Sequence, residues 1–254
     1  MISHLLTYHI KWSYLYLGRG QIESGDFKKT FLGKDQSFSK DESKSIDIVS
    51  VKLLRLTDSK LLESFIPMKT VGDGNCLFRA ISIAAYNDEK RHVQLRWQVF
   101  QEIRDNPSWY DKDDANYCSP FANDLGIHLE NYSYYFVSTP KDGVWSDINH
   151  ILATSAVLNT PIMSYFPSFQ SNVSSFSRVL IGRNVPRPDD MDVKIKIMWT
   201  STEFPKKIEN FIPNHFVPLI PRKKNEFRPI FQNAWESNRG SKPFITFVSF
   251  ILSI

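Results

Sequence analysis

The run Val71-Gly72-Asp73-Gly74-Asn75-Cys76-Leu77-Phe78-Arg79-Ala80 holds the residue types best suited to chemistry in this sequence. Gly72, Gly74 and Asn75 tolerate positive φ and tight backbone curvature. They stand directly before Cys76 and the stretch LFRAISIAAY, which ends at Tyr86. That stretch is apolar on nearly every face, which predicts a buried helix. A thiol at the first position of such a helix meets unpaired N–H groups and the positive end of the helix dipole. Both favour the thiolate, the nucleophilic form, against a free pKa of about 8.5. A glycine-rich turn also presents backbone N–H groups that can stabilise an oxyanion while an acyl carbon is attacked. The same local pattern can bind an anion.

A thiol nucleophile needs a base. The histidines are His4, His9, His92, His128, His150 and His215. His215 opens the apolar run Phe216-Val-Pro-Leu-Ile220, after the polar loop Ile208 to Asn214. A histidine at a strand end can project into a cleft from a rigid support. His92 and His150 fall on predicted helices, where a solvent-facing position is expected. Taken singly, a cysteine is most often a small buried hydrophobe and a histidine is most often structural. Spacing alone therefore leaves Cys76–His215 catalysis, anion binding and a plain core cysteine all open.

The elements around these residues predict an α+β order, with helices mainly in the first half and strands in the second. Ile46 to Leu56 is β-branched enough for a strand, and Asp58 to Phe65 reads as a short helix stopped by Pro67. Glu89 to Asp105 reads as a second helix with an apolar stripe at Val93, Trp97, Phe100 and Ile103. Ser119-Pro120 reads as the start of a short helix closed by Gly126. A further helix is expected from a cap at Ser146, with Ile148, Ile151, Leu152, Ser155 and Leu158 on one face and Pro161 after its end. Strands are expected at Ile162 to Phe166, Arg178 to Ile181, Val193 to Trp199 and His215 to Ile220. Residues 1–45 read as a separate, mobile extension, 46–221 as one domain, and 222–254 as a basic and then apolar tail.

Composition narrows the classes. Lys plus Arg is 31 and Asp plus Glu is 27, so the net charge of +4 is too small to argue for a nucleic-acid partner. Two cysteines cannot build a disulfide scaffold or a cysteine-rich zinc module, and they suit a reducing compartment. Cys118 and His128 alone do not make a metal site. The most apolar stretch, Phe244 to Ile254, is shorter than the roughly 20 residues of a spanning helix, and no signal peptide is evident. A cytoplasmic or nuclear location is the expectation. Tyr132, Tyr134, Tyr135 and Phe136 read mainly as packing, and Arg222-Lys223-Lys224 as a solvated basic segment.

The run Asp73-Gly74-Asn75-Cys76-Leu77-Phe78-Arg79-Ala80 resembles the nucleophile motif of the OTU (ovarian tumour) family of papain-like cysteine deubiquitinases. The Arg96 region resembles that family's second helix. Trp145 with the following helix and strand resembles its Trp-Gly, helix, strand segment, and Asn214-His215-Phe216 resembles its catalytic histidine followed by an aromatic. The likeness covers roughly Ile66 to Pro221. It implies an OTU-like cysteine protease fold: a central, mostly antiparallel sheet packed between helices, with the nucleophile at a helix N-terminus.

The resemblance also implies roles. Cys76 would be the nucleophile, His215 the base and Asp73 a supporting acid, with Asp73, Gly74, Asn75 and Cys76 forming the oxyanion loop. The reaction would be hydrolysis of the isopeptide bond after the C-terminal glycine of ubiquitin, or of a ubiquitin-like modifier, with no metal or organic cofactor. Two positions depart from the pattern. Many members carry Asp or Asn two residues after the histidine to orient it, and here Val217 stands there. Asn214 points to the opposite face of a regular strand, so orientation would have to come from Asp73, from a loop residue such as Asn210, or from no residue at all. Ser146 stands where the family usually has Gly. A module that binds ubiquitin without cleaving it is the alternative.

Overall fold

The computed structural model describes residues 45–118, 132–169, 175–186 and 193–222. The first helix, α1, runs Ile48–Thr57 where a strand was expected from β-branched content. Asp47 caps it, accepting from Ser50 N at 2.7 Å, and Val51, Leu53 and Leu54 are buried along it. The cap and the burial of those side chains outweigh an intrinsic preference that is weak for both states. A short helix α2, Leu61–Ser64, leads straight into strand β1, Phe65–Pro67. Pro67 therefore lies in an edge strand, where its missing N–H is tolerated.

Helix α3 spans Cys76–Tyr86, the stretch expected, and ends because Asn87 adopts the left-handed conformation with φ 57°. A 3-10 turn at Glu89–Arg91 precedes α4, His92–Asp105, and Pro107 opens α5, Pro107–Tyr110. The buried face of α4 is Leu95, Arg96, Val99, Phe100 and Ile103. The expected stripe is rotated: Val93 is exposed, because the helix turns Arg96 inward to a set of carbonyl acceptors described below.

Helix α6 is Tyr132–Ser138, and the aromatic run within it is largely packing. Phe136 meets Phe100, and the Tyr132 hydroxyl donates to Ile103 O. Helix α7 is Ile148–Leu158. Its cap is Asp147 rather than Ser146: the Asp147 carboxylate accepts from Asn149 N and His150 N, and the His150 ring accepts from Asp147 N. His150 is buried, not solvent-facing, with Nδ1 on Asp147 and Nε2 on Thr139 Oγ1. The strands follow as β2 Ile162–Phe166, β3 Phe176–Leu180, β4 Ile195–Thr200 and β5 His215–Pro221. The helix expected at Ser119–Gly126, the extension through residue 44 and the tail after 222 lie outside the described residues.

The five strands form one sheet in the order β1-β5-β4-β2-β3. β2 and β4 are parallel and the other pairings are antiparallel. Side chains alternate across a strand, so the register Tyr165↔Met198↔Val217 and Thr200↔His215 puts these residues on one face. That face carries α1: Ser50 Oγ donates to Thr200 Oγ1 at 2.8 Å and Tyr165 OH to Thr57 Oγ1 at 3.0 Å. The other face presents buried Ile162, Ile195, Ile197, Phe216 and Ile220, covered by α3 and α7. The chain is thus an α+β fold whose mostly antiparallel sheet lies between helices.

Candidate active site

The loop entering α3 is bent by Gly74, at φ +80°. A Cβ there would stand 1.9 Å from Gly143 O, so only glycine lets the two backbones approach. Asp73 braces the loop from outside. Its carboxylate accepts from Asn75 N at 3.0 Å and from Arg79 Nη2 at 2.5 Å. Burial alone would raise the Asp73 carboxyl. The bonds from Arg79 and Asn75 and the Arg79 charge outweigh it and hold the group well below the usual carboxylate range.

Asn75 and Arg96 brace the loop from inside. Asn75 is buried, its amide nitrogen donates to Asp142 Oδ1, and its Oδ1 accepts from Gly143 N and Arg96 Nε. Arg96 is 3% exposed. Its other nitrogens donate to Gly74 O at 2.9 Å, Val144 O at 2.7 Å and Thr139 O at 3.1 Å, and the guanidinium lies 4.6 Å from the Phe78 ring centre. One planar side chain thereby ties the Cys76 loop to the 139–144 segment, using the several fixed donors that distinguish arginine from lysine. The sequence reading passed over this role for Arg96. Its signal was a charge set between Leu95 and Val99 on a helix face that otherwise buries.

Cys76 is buried at the first position of α3, which packs against β5. Burial pushes its thiol up, and the Asp73 charge adds to that. Backbone N–H groups of Phe216, Leu77 and Cys76 act in the opposite direction. The helix start thus favours the thiolate as expected, but burial wins, and the expected lowering does not result.

His215, also buried, begins β5. Nδ1 has no hydrogen-bond partner among the described residues, so no bond joins it to the Cys76 sulfur. The Nδ1–Cε1 edge looks toward Gly72: a Cβ on Gly72 would lie 3.8 Å from both atoms. The loop that ends in Cys76 therefore passes the bare edge of the ring. Nε2 sits 2.9 Å from Thr70 Oγ1. Asp73 does not orient the ring, since its carboxylate is taken by Arg79 and Asn75, and it acts on His215 only through its charge. Asn210 lines a hollow with Thr202, Phe211 and Ile212, and Asn214 Oδ1 accepts from Thr202 N. Val217 is fully buried. Burial lowers His215 below its ordinary 6.5, against the raising effects of the Asp47, Asp73 and Glu89 charges and of a hydrogen bond to the Thr70 backbone.

Behind the site, Phe216 stacks on Trp145 at 5.2 Å and meets Trp199 at 4.3 Å. Cys118 is exposed and His128 lies outside the described residues. No helix among the described residues is long and apolar enough to cross a membrane.

A family model described as "Vertnin, OTU domain" matches residues 67–200, more than half of the chain. The chain belongs to the OTU family. The match takes in Asp73, Gly74, Asn75, Cys76 and Arg96 and stops before β5 and His215. Mouse OTU domain-containing protein 1 is 30% identical over 93 residues, which are 36% of this chain and 17% of that protein. The OVARIAN TUMOR DOMAIN-containing deubiquitinating enzyme 10 of Arabidopsis thaliana is 27% identical over 93 residues, 37% of this chain and 22% of that one. The chain thus matches about a fifth of the length of these relatives. Among solved structures, the OTUD1 OTU domain is similar with 19% identity and a TM-score of 0.45, over 68% of this chain and 95% of the other.

Proposed function

We propose that this OTU-family chain is a cysteine hydrolase acting on the C-terminal glycyl bond of ubiquitin or a ubiquitin-like modifier. The observation that carries this is the placement of Cys76 at the first turn of buried α3, on a braced glycine loop that passes the unpartnered Nδ1 edge of His215. In this reading Cys76 is the nucleophile and His215 the base. Nδ1 removes the thiol proton as sulfur attacks the carbonyl carbon, and the carbonyl electrons move onto oxygen. The Cys76 N–H has no acceptor within its own helix and is directed at that oxygen. The same proton passes to the leaving amine as the carbon–nitrogen bond breaks. Water, deprotonated by His215, then releases the acyl group and restores the thiol.

The roles of the loop residues divide further. The Asn75 N–H is already committed to Asp73, so Asp73 and Asn75 shape the loop and leave the oxyanion to other amides. A second reading, a module that binds ubiquitin without cleaving it, draws on the raised Cys76 thiol and the missing Cys76–His215 hydrogen bond. Incubation with ubiquitin bearing a C-terminal thiol-reactive group separates the two. Under the first reading, wild type forms a covalent adduct that Cys76→Ala does not, and His215→Ala forms it far more slowly. Folded wild-type protein that binds ubiquitin and forms no adduct would favour the second.

A further inference from the structure

Thr70 Oγ1 lies within hydrogen-bond distance of two groups, Phe216 O at 2.6 Å and His215 Nε2 at 2.9 Å. A hydroxyl has one proton. A carbonyl oxygen can only accept, so that proton goes to Phe216 O. Toward His215 the hydroxyl oxygen can then only accept, and Nε2 must carry the ring proton. In neutral imidazole this leaves the lone pair on Nδ1, the buried nitrogen with no partner among the described residues, on the edge that looks toward Gly72.

The position of Thr70 is set by strand register. β1 pairs with β5 as Ile66↔Ile220 and Pro67↔Leu219, and Met68 N donates to Pro218 O. Two residues further along the same diagonal, Thr70 falls opposite Phe216, and its side chain takes the carbonyl that a backbone N–H would otherwise have met. The hydroxyl is held from the Phe216 side and is therefore ready to hold the ring.

We propose that Thr70 is the positioning residue of His215: its hydroxyl, in place of the acid or amide absent at Val217, fixes the Nε2–H tautomer and leaves Nδ1 to accept the Cys76 proton. This rests on the reading of His215 as the base. A neutral hydroxyl orients the ring without contributing a negative charge to an imidazolium.

The test uses the full chain with nitrogen-15-labelled histidine, in wild type, Thr70→Val and Thr70→Ser. The His215 signals are identified by their loss in His215→Gln, and folding is followed by circular dichroism. Imidazole nitrogen NMR should show wild-type His215 protonated on Nε2 and bare on Nδ1, a mixture of tautomers in Thr70→Val, and the wild-type pattern in Thr70→Ser. With a fluorogenic C-terminal ubiquitin amide, Thr70→Val should lower kcat roughly ten- to a hundredfold with KM little changed, and Thr70→Ser should restore most of it. A ring protonated on Nδ1 in wild type, or a tautomer unmoved by Thr70→Val, overturns the proposal whether or not ubiquitin is cleaved. An Nε2–H ring that depends on the Thr70 hydroxyl, in a folded wild type that cleaves nothing, supports the positioning and counts against the hydrolase reading instead.

Discussion

Between Asp73 and Cys76 the loop is held from both sides by charged side chains, whereas His215 has a neutral hydroxyl on one ring nitrogen and, among the described residues, no partner on the other. The two regions face different demands. An oxyanion cradle works through dipoles fixed before reaction, so Arg79, Arg96 and the Gly74–Gly143 contact suit it. A base must take and give up a proton, and a strong acid partner would raise its affinity for that proton. Burial acts on both regions in one direction, toward uncharged groups. The Cys76 thiol is pushed up and the His215 ring down. Under the proposed function, the site is braced where charge would be received and has a neutral partner where the proton would move.

The comparison breaks most directly at Arg96. Arg96→Met leaves the buried acceptors Gly74 O, Val144 O and Thr139 O without this donor. We expect a loss of about 2–4 kcal/mol of stability in denaturant melts and no measurable ubiquitin adduct. A variant that melts like wild type and still reacts would show that the loop does not need its inner brace.

Gly74→Ala tests the same region through the backbone. Its Cβ would meet Gly143 O at 1.9 Å with the backbone at φ +80°, so the loop must move. A loss of about 1–3 kcal/mol is expected, with adduct formation slowed at least roughly a hundredfold. Unchanged adduct kinetics would mean that the Gly74–Gly143 approach is incidental.

The base half is tested by pH. Reaction needs Nδ1 unprotonated, and His215 is lowered, so kcat/KM should hold through 6.5 and fall only at lower pH. The stability sign agrees: the unfolded chain takes up that proton at higher pH than the folded one, so stability declines as pH drops below 6.5. Alkylation of Cys76 by iodoacetamide, which reports the thiolate, should keep rising beyond pH about 8.5. A plateau of alkylation near neutral pH would reveal a preformed thiolate and erase the contrast between the two regions.

Gly72→Ala is the mildest test. The added methyl would stand 3.2 Å from Thr202 Cγ2 and 3.8 Å from the His215 ring, and a side-chain methyl can yield. Activity is expected to fall by less than about threefold, with stability within about 0.5 kcal/mol of wild type. A larger fall in kcat would show that the space beside Nδ1 must stay clear.

Much of the frame was legible in the residues. Cys76–Tyr86 buries nearly all round, Ile162–Phe166 is bounded by Pro161 and Pro167, and His215 follows a polar loop, so each element carried its own boundary signal. The motif Asp73 to Ala80 placed the chain in its family, and the family match covers those residues. Ile48–Thr57 was misread because Asp47 and the buried Val51, Leu53 and Leu54 decided it, while β-branched content suggested a strand. At Asp147 the expected cap is off by one residue, since Ser146 is as good a cap by type and only the folded contacts of the Asp147 carboxylate and the His150 ring show which one is used. Asp73 carries the expected charge but pairs it with Arg79, six residues on in the same motif.

By itself the sequence determined where the nucleophile candidate stands, because a glycine turn, a cysteine and an all-apolar helix are local facts of neighbouring residues. It determined the strand that begins at His215 for the same reason. Tertiary structure decided what holds them. Thr70 reaches His215 across 145 positions only because β1 and β5 pair in one register, and Arg96 reaches Val144 only because α4 turns its charged residue inward. The protonation tendencies of Cys76 and His215 also belong to the fold. A helix start lowers a thiol locally, but burial is a property of everything packed around it, and here burial is the larger effect.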